Sequence, residues 1–310
     1  MRTVAVVDIG SNSIKILVAG RDTEGKLVAV KSETLEARIS AGISQATPQL
    51  SHDGMARGLT AIQTLLAAAA PLAPERVIMV ATSAVRDARN GAEFTDLVRR
   101  ETGCELRILT GKEEANAIGL GLTCDPALTD FQNFYVFDLG GGSLECLAFE
   151  DRRIVQTFSL QLGCVRLTEK FAPDPTAPLP VDCTNQIMTY VKSVLALSSF
   201  RFDLPLATAI ATGGTAATVR AIHAARRGLS VEKSSSLITV RQLHDLLSQL
   251  VALPLEKRRQ FPGLSPDRAD VFPAALATLL AVAEAGKLTS FRHSFYNLRY
   301  GLAAAALDNL

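Results

Sequence analysis

The stretch VAVVDIGSNSIKILV (residues 4–18) decides how the chain is read, because FYVFDLGGGSLECLA (residues 134–148) repeats its plan. Aligned on Asp8 and Asp138, the copies share a Gly (Gly10, Gly140) and a Ser (Ser13, Ser143) at matching places. Each is an apolar run, a turn of small residues and a second apolar run, which predicts a β-hairpin. A single D-x-G turn is an ordinary hairpin feature, since Gly takes positive φ without steric cost. Its recurrence, with Ser where a phosphate oxygen can be met, points further. Backbone N–H groups of such a turn can face an anion, and the carboxylate can hold a hydrated divalent cation. The expectation is two related halves that clasp one phosphate chain.

Composition sets the limits. With 310 residues, 48% of them hydrophobic and 20% charged, the chain is long enough for two ordinary globular domains. A net charge of +1 excludes a nucleic-acid coat or an electrostatic membrane binder, so any anion site must be local. The absence of Trp and of aromatic residues interleaved with basic ones argues against a single-strand nucleic-acid groove. No signal peptide is visible at the N-terminus, and the longest apolar run, Val271 to Ala283, is too short to span a bilayer. A cytoplasmic protein with no membrane partner is expected. Five scattered cysteines without a C-x-x-C pair suggest neither a disulfide framework nor a zinc site. The four histidines, His52, His223, His244 and His293, have neither metal-ligand spacing nor triad neighbours and are read as surface or packing residues.

Strands alternating with helices predict an α/β architecture of mixed sheets flanked by helices. A third strand is expected near Leu27 to Ser32, a helix from Ser51 or Asp53 to Ala70, and a strand at Val77 to Ala81. A helix at Ala92 to Thr102, a strand at Leu106 to Leu109 and a helix from Gly111 through Leu122 complete the first half. The second half runs through a strand at Ile154 to Ser159, a Pro-rich loop, a helix to about Leu197 and a strand at Ala207 to Ala211. Helices to Arg226, at Val240 to Leu250 and at Asp267 to Ala285 follow. The polar stretch Thr123 to Asn133 suits a domain break, giving domains of residues 1–125 and 126–310.

Three further segments carry candidate chemistry. Glu113 and Glu114 open a predicted helix, where one acid serves the helix dipole and the other is placed to deprotonate water. Thr82 to Asn90 follows a strand, offering hydroxyls, helix N–H groups and Arg86 to an anion, although an Arg there is more often solvated or salt-bridged. Gly213, Gly214 and Thr215 form a third strand-to-helix Gly turn, which close helix–strand packing explains equally well.

Five segments together, DIGSNSIK at Asp8, TSAVRDARN at Thr82, TGKEEANAIGLG at Thr110, DLGGGSLE at Asp138 and ATGGTAATVRAI at Ala211, resemble the exopolyphosphatase and guanosine pentaphosphate phosphohydrolase family. GCVRLTEKF at Gly163 and NLRYGL at Asn297 are similar to two more of its segments. The family belongs to the actin, sugar-kinase and heat-shock-chaperone superfamily. The resemblance implies two ribonuclease-H-like (actin-like ATPase) domains with the active site in the cleft between them, the last helix returning to the first domain. It also implies Mg²⁺-dependent hydrolysis of a terminal phosphoanhydride, with Mn²⁺ as an alternative metal.

Carried over by position, Glu114 is the base, while Asp138 and Glu145 hold the metal and the attacking water. Asp8 is a further metal candidate. Ser11, Asn12, Ser13, Gly140, Gly141, Gly142 and Ser143 are expected to contact phosphate, as are Gly213, Gly214 and Thr215, and Arg86 to hold the phosphate chain. Such chemistry needs positioning and charge neutralisation more than a covalent nucleophile. The chain departs from the family at Asn116 and Leu144, where Arg and Thr are common, at Ala275 for Gly, and at Tyr300 for an acid.

The leading expectation is an exopolyphosphatase acting on inorganic polyphosphate. The 5′-phosphate of guanosine pentaphosphate, or another nucleoside polyphosphate, is the nearer alternative. An ATP-dependent phosphotransferase and a non-catalytic polyphosphate or alarmone sensor belong to other classes, and a homodimer is left open.

Overall fold

A computed structural model describes residues 1–309; Leu310, the last residue of the expected second domain, lies outside them. Two compact units form, one from Met1–Asp130 together with the chain from Tyr296 onward, the other from Phe131–Phe295.

The first unit contains β1 (Thr3–Ile9), β2 (Ile14–Arg21), β3 (Leu27–Leu35), α1 (His52–Ala69), β4 (Arg76–Ala81), α2 (Ser83–Asp87), α3 (Gly91–Thr102), β5 (Leu106–Ile108) and α4 (Gly111–Thr123). The second contains β6 (Phe134–Leu139), β7 (Leu144–Glu150), β8 (Arg153–Leu160), α5 (Cys164–Phe171), α6 (Val181–Leu197), β9 (Thr208–Thr212) and α7 (Gly213–Ala225). It continues through β10 (Leu237–Thr239), α8 (Val240–Val251), α9 (Leu255–Arg259), α10 (Phe272–Gly286) and β11 (Ser290–His293), after which α11 (Leu298–Leu307) belongs to the first unit.

The sheets share one plan. The first runs β3-β2-β1-β4-β5, the second β8-β7-β6-β9-β11-β10. In each, the hairpin and third strand are antiparallel on one side, and the next strands lie parallel on the other. Both units are therefore ribonuclease-H-like, with β10 an added antiparallel edge in the second. All seven residues of β1 are buried, which is why its sequence is a continuous apolar run rather than an alternating one. Equivalent hydrogen bonds close the two hairpin turns, Gly10 N–H to Ser13 O at 3.1 Å and Gly140 N–H to Ser143 O at 3.0 Å.

α11 sits on β1 and β2, where Tyr300, Ala303, Ala304 and Ala306 join Val4, Val6, Leu17 and Ala19 in one buried cluster. An acid at position 300 would be buried in that cluster, so Tyr suits this chain's packing. The same helix crosses α4 backbone against backbone: a Cβ on Gly301 would stand 1.9 Å from the Ala117 carbonyl oxygen, and one on Gly121 2.1 Å from that of Asn297. Buried Arg299 donates to Ile16 O and Ser32 Oγ, both at 3.2 Å, and fastens α11 to the sheet.

In the second unit Phe200 and Phe202 pack against Tyr135 and Phe137. α10 is buried from Phe272 to Ala283, a helix apolar on every side because protein surrounds it. No helix among the described residues is long and apolar enough to cross a membrane. The sequence predicts this helix from Asp267, but it begins at Phe272 with Pro273 in its first turn, after a 3₁₀ turn at Pro266–Arg268. Proline favours that first-turn position, where its missing N–H costs nothing. The short elements β10, β11 and α9 have too few residues to show a period.

His293 at the end of β11 is 5% exposed, and its Nδ1 lies 3.0 Å from Arg220 Nη1. The guanidinium can only donate, so Nδ1 is the acceptor. Burial, and then the adjacent Arg220, push the imidazole down from 6.5 to about 3.

Two outcomes follow from these contacts. Gly301→Ala should cost about 1–3 kcal/mol in urea denaturation, because α4 and α11 must separate to admit one methyl; an unchanged midpoint would show that the crossing is not tight. His293 is neutral in the folded chain down to about pH 3 while the unfolded chain takes up a proton below about 6.5. Its contribution to stability is complete above pH 6.5 and is lost as the pH falls toward 3. Denaturation midpoints at pH 7 and pH 5 should therefore converge in His293→Gln relative to the parent.

Candidate active site

The first loop is organised from behind. Ser11 and Asn12 present their carbonyls to backbone donors on the segment after β3: Ser40 N–H reaches Ser11 O at 3.3 Å and Arg38 N–H reaches Asn12 O at 2.8 Å. In a trans peptide the carbonyl and the following N–H point in opposite directions. The N–H groups of Asn12 and Ser13 are thereby turned away from the segment that holds the loop.

Side chains add to this. Ser11 Oγ is 3.0 Å from Ser83 Oγ at the start of α2, while Asn12 Nδ2 donates to Glu36 Oε2 at 2.5 Å and Asn12 Oδ1 accepts from Arg38 Nε at 3.0 Å. The amide of Asn12 is thus engaged in fixing the turn, and the group it can offer an anion is its backbone N–H. All three loop residues are buried.

The second loop repeats the arrangement with different donors. Cys164 N–H reaches Gly140 O at 3.0 Å, Val165 N–H reaches Gly141 O at 2.8 Å and Arg166 Nε reaches Gly142 O at 3.1 Å. The N–H groups of Gly141, Gly142 and Ser143 are turned the other way, forming a nest suited to an anion. Gly163 makes the approach of α5 possible, for a Cβ there would fall 2.3 Å from the carbonyl carbons of Gly141 and Gly142.

α4 separates its two opening acids. Glu113 closes a capping box, accepting from Thr110 N–H at 2.8 Å while Thr110 Oγ1 accepts from Glu113 N–H at 3.2 Å. The Thr110 N–H and hydroxyl, followed by Arg107, hold its carboxyl down at about 2. Glu114 is 6% exposed and accepts from Arg86 Nη1 at 2.7 Å. Arg86 Nη1 also donates to Leu109 O at 3.1 Å. The guanidinium pairs this buried carboxylate with an opposite charge, and a carboxylate is the kind of group that can take a proton from water. Arg86 also meets Asp87 at 3.6 Å and lies in α2, a helix of five residues that begins at Ser83, whose hydroxyl is 3.0 Å from that of Ser11.

Asp138 and Glu145 lie opposite each other in the β6–β7 register. Two acids directly opposed on neighbouring strands repel, and a cation between them relieves that cost. Glu145, 2% exposed, accepts from Ser159 Oγ at 2.8 Å. Asp138 lies against the Gly turn: Gly213 has φ +83°, and a Cβ there would fall 2.1 Å from Asp138 Oδ1.

In the first unit the equivalent register sets Lys15 opposite Asp8. Asp8 therefore already faces a cation, and the acid pair of the second unit fits a metal better. Among the described residues no three His, Cys, Asp or Glu side chains cluster as an all-protein cage. The donor set suits Mg²⁺, which binds through one or two carboxylates and keeps water and substrate oxygens as its other ligands.

The Gly turn serves packing as well as the site. Thr215 is fully buried and donates to Leu139 O at 3.3 Å, which ties α7 to β6. Beside Gly214 lies the guanidinium of buried Arg268, whose Nη1 would be 2.4 Å from a Cβ at that glycine. Arg268, like Glu36 and Arg38, is absent from the residues that sequence reading singled out, and Arg166 enters it only inside the segment GCVRLTEKF, without a role. Only tertiary folding brings these charged side chains to a loop, and a single charged residue in a polar stretch carries no distinguishing pattern.

The chain was compared with known proteins. The model of the Ppx/GppA phosphatase family matches residues 18–310. Guanosine-5′-triphosphate,3′-diphosphate pyrophosphatases of Aeromonas salmonicida and Aeromonas hydrophila are each 28% identical over 306 residues, covering 98% of this chain and 59% of theirs. The chain thus spans about three-fifths of the length of these relatives. An exopolyphosphatase of Cytophaga hutchinsonii superposes with TM-score 0.87 at 23% identity, covering 100% of this chain and 99% of that one. The Ppx/GppA enzyme of Aquifex aeolicus gives 0.78 at 24%, covering 98% and 99%. These two likenesses establish the common fold. With two ribonuclease-H-like units, paired glycine loops and a family match over nearly its whole length, this chain belongs to the Ppx/GppA phosphatase family.

Proposed function

We propose that the protein hydrolyses the terminal phosphoanhydride of inorganic polyphosphate and releases orthophosphate. The observation that carries the reading is Glu114, buried and paired with Arg86, in a chain with two loops whose N–H groups are turned away from the segments that hold them. Glu114 accepts the proton of the attacking water. Arg86, paired with Glu114, is placed to hold a phosphate oxygen, and the N–H groups of Asn12 and Ser13 in one unit, like those of Gly141, Gly142 and Ser143 in the other, suit charge on non-bridging phosphate oxygens. Asp138 and Glu145 would hold Mg²⁺, with Ser159 orienting Glu145 by its hydrogen bond. When bound, the metal supplies neutralisation of phosphate charge and fixes the geometry of in-line attack.

Guanosine pentaphosphate is the second reading, favoured by the two Aeromonas relatives named for guanosine-5′-triphosphate,3′-diphosphate. Its terminal phosphoanhydride asks the same of these residues.

Orthophosphate release from long polyphosphate, tripolyphosphate, guanosine pentaphosphate and ATP, each with Mg²⁺ and with EDTA, tests the proposal. Metal-dependent release mainly from polyphosphate is expected. Preference for the guanosine nucleotide would transfer the assignment to it, and binding without release would make the protein a sensor. Glu114→Gln should lower kcat by about 10²–10⁴-fold with substrate affinity retained; persisting turnover would remove Glu114 as the base. Glu145→Gln should raise the Mg²⁺ concentration giving half-maximal rate, while Asp8→Asn should raise it less. The reverse order would place the metal in the first unit.

A further inference from the structure

The two halves carry an equivalence that their sequences do not align. In each, the chain leaving the third strand of the sheet, β3 or β8, returns behind the glycine loop, and an arginine on that return reaches the third residue of the loop. Arg38 donates its backbone N–H to Asn12 O at 2.8 Å and its Nε to Asn12 Oδ1 at 3.0 Å. Arg166 donates its backbone N–H to Gly141 O at 3.3 Å and its Nε to Gly142 O at 3.1 Å. Asn12 and Gly142 occupy the same place after the shared aspartate, 130 residues apart. What an asparagine side chain accepts in the first loop, the backbone carbonyl accepts in the second, where glycine has no side chain to offer.

The support behind Arg38 is unusually specific. Arg38 has φ +39°, a conformation uncommon outside glycine, asparagine and aspartate. Its neighbours are gripped by Arg57 of α1, which donates Nε to Ala37 O and Nη2 to Arg38 O, both at 3.1 Å. Ile39 is fully buried, with its γ2 methyl 2.9 Å from where a Cβ on Gly58 would stand. Glu36 takes the other side of the Asn12 amide at 2.5 Å and so fixes which way it faces. A strained backbone held this firmly is characteristic of a site at which geometry matters.

We propose that Arg38 and Arg166 are duplicated positioning residues of the phosphate loops, each presenting its loop's N–H groups to substrate by holding the carbonyl side from behind, with Glu36 setting the amide of Asn12. The inference rests on the phosphate-hydrolase reading for its substrate but not for its geometry. Neither arginine needs to touch the phosphate; the side chain of Arg38 acts through the Asn12 amide and that of Arg166 through the Gly142 carbonyl.

Hydrogen exchange and tripolyphosphate affinity, both measured on Arg38→Ala, Arg38→Lys, Arg166→Ala, Arg166→Lys and the parent, test it. Arg38→Ala should speed exchange in the peptide around residues 8–16 and leave that around 138–146 unchanged, and Arg166→Ala should do the opposite. Each alanine variant should weaken tripolyphosphate binding about 10- to 100-fold, as expected when binding groups are misplaced by an ångström or less, with partial recovery in the lysine variant. In the pair Arg38→Ala with Asn12→Ala, the losses should not add, because the arginine acts through that amide. Unchanged exchange in both loops, or loosened loops with undiminished affinity, would overturn the inference, as would additive losses in the double variant. A parent that binds no tripolyphosphate would defeat the phosphate-hydrolase reading instead, and the exchange pattern would still decide whether the arginines hold the loops.

Discussion

Each glycine loop depends on one constraint, the planarity of the trans peptide in its short turn. A carbonyl held from one side obliges the next N–H to face the other. Ser40 and Arg38 hold the first turn, Cys164, Val165 and Arg166 the second, and both turns are closed by the bond from a Gly N–H to a Ser carbonyl. Everything behind those donors bears on how the outward N–H groups are aimed: α1 gripping residues 37 and 38, and Gly163 admitting α5 to close range. Such N–H groups need no reorganisation to meet an anion, which is why the arrangement suits phosphate chemistry.

The duplication is deeper in topology than in chemistry. Both sheets place the hairpin centrally and use the same closing bond, yet the pair opposed across the hairpin differs: Asp8 with Lys15 in one, Asp138 with Glu145 in the other. One change of sign between equivalent positions sets a lysine across from the aspartate in one hairpin and a second acid across from it in the other.

Close glycine contacts recur where precision is needed. Gly301 and Gly121 allow α11 to lie directly on α4, the helix that presents Glu114, and Gly213 and Gly214 admit a carboxylate and a guanidinium to the start of α7. The first pair couples the C-terminal helix to the placement of the proposed base. Tyr300 follows from the same packing, since α11 buries its face among valine, leucine and alanine.

Much of the fold was legible in the sequence. The repeated hairpins, the long helix α1, the capping box that assigns Glu113 to the helix end, and the alternation of strand and helix are local patterns, set by the period of apolar residues and by short-range hydrogen bonds. The family resemblance pointed to the same architecture and to Glu114, Arg86, Asp138 and Glu145. The start of α10 was misjudged because an apolar run says little about where its first turn closes, and β10 and β11 were too short to show a period. What only tertiary structure decided was which side chain meets which: Arg86 on Glu114, Arg38 and Glu36 on Asn12, Arg166 on Gly142, and Arg268 beside Gly214. Sequence periodicity encodes the face a residue takes, whereas a partner 24 or more residues away is chosen by how whole elements pack, and no local pattern carries that choice.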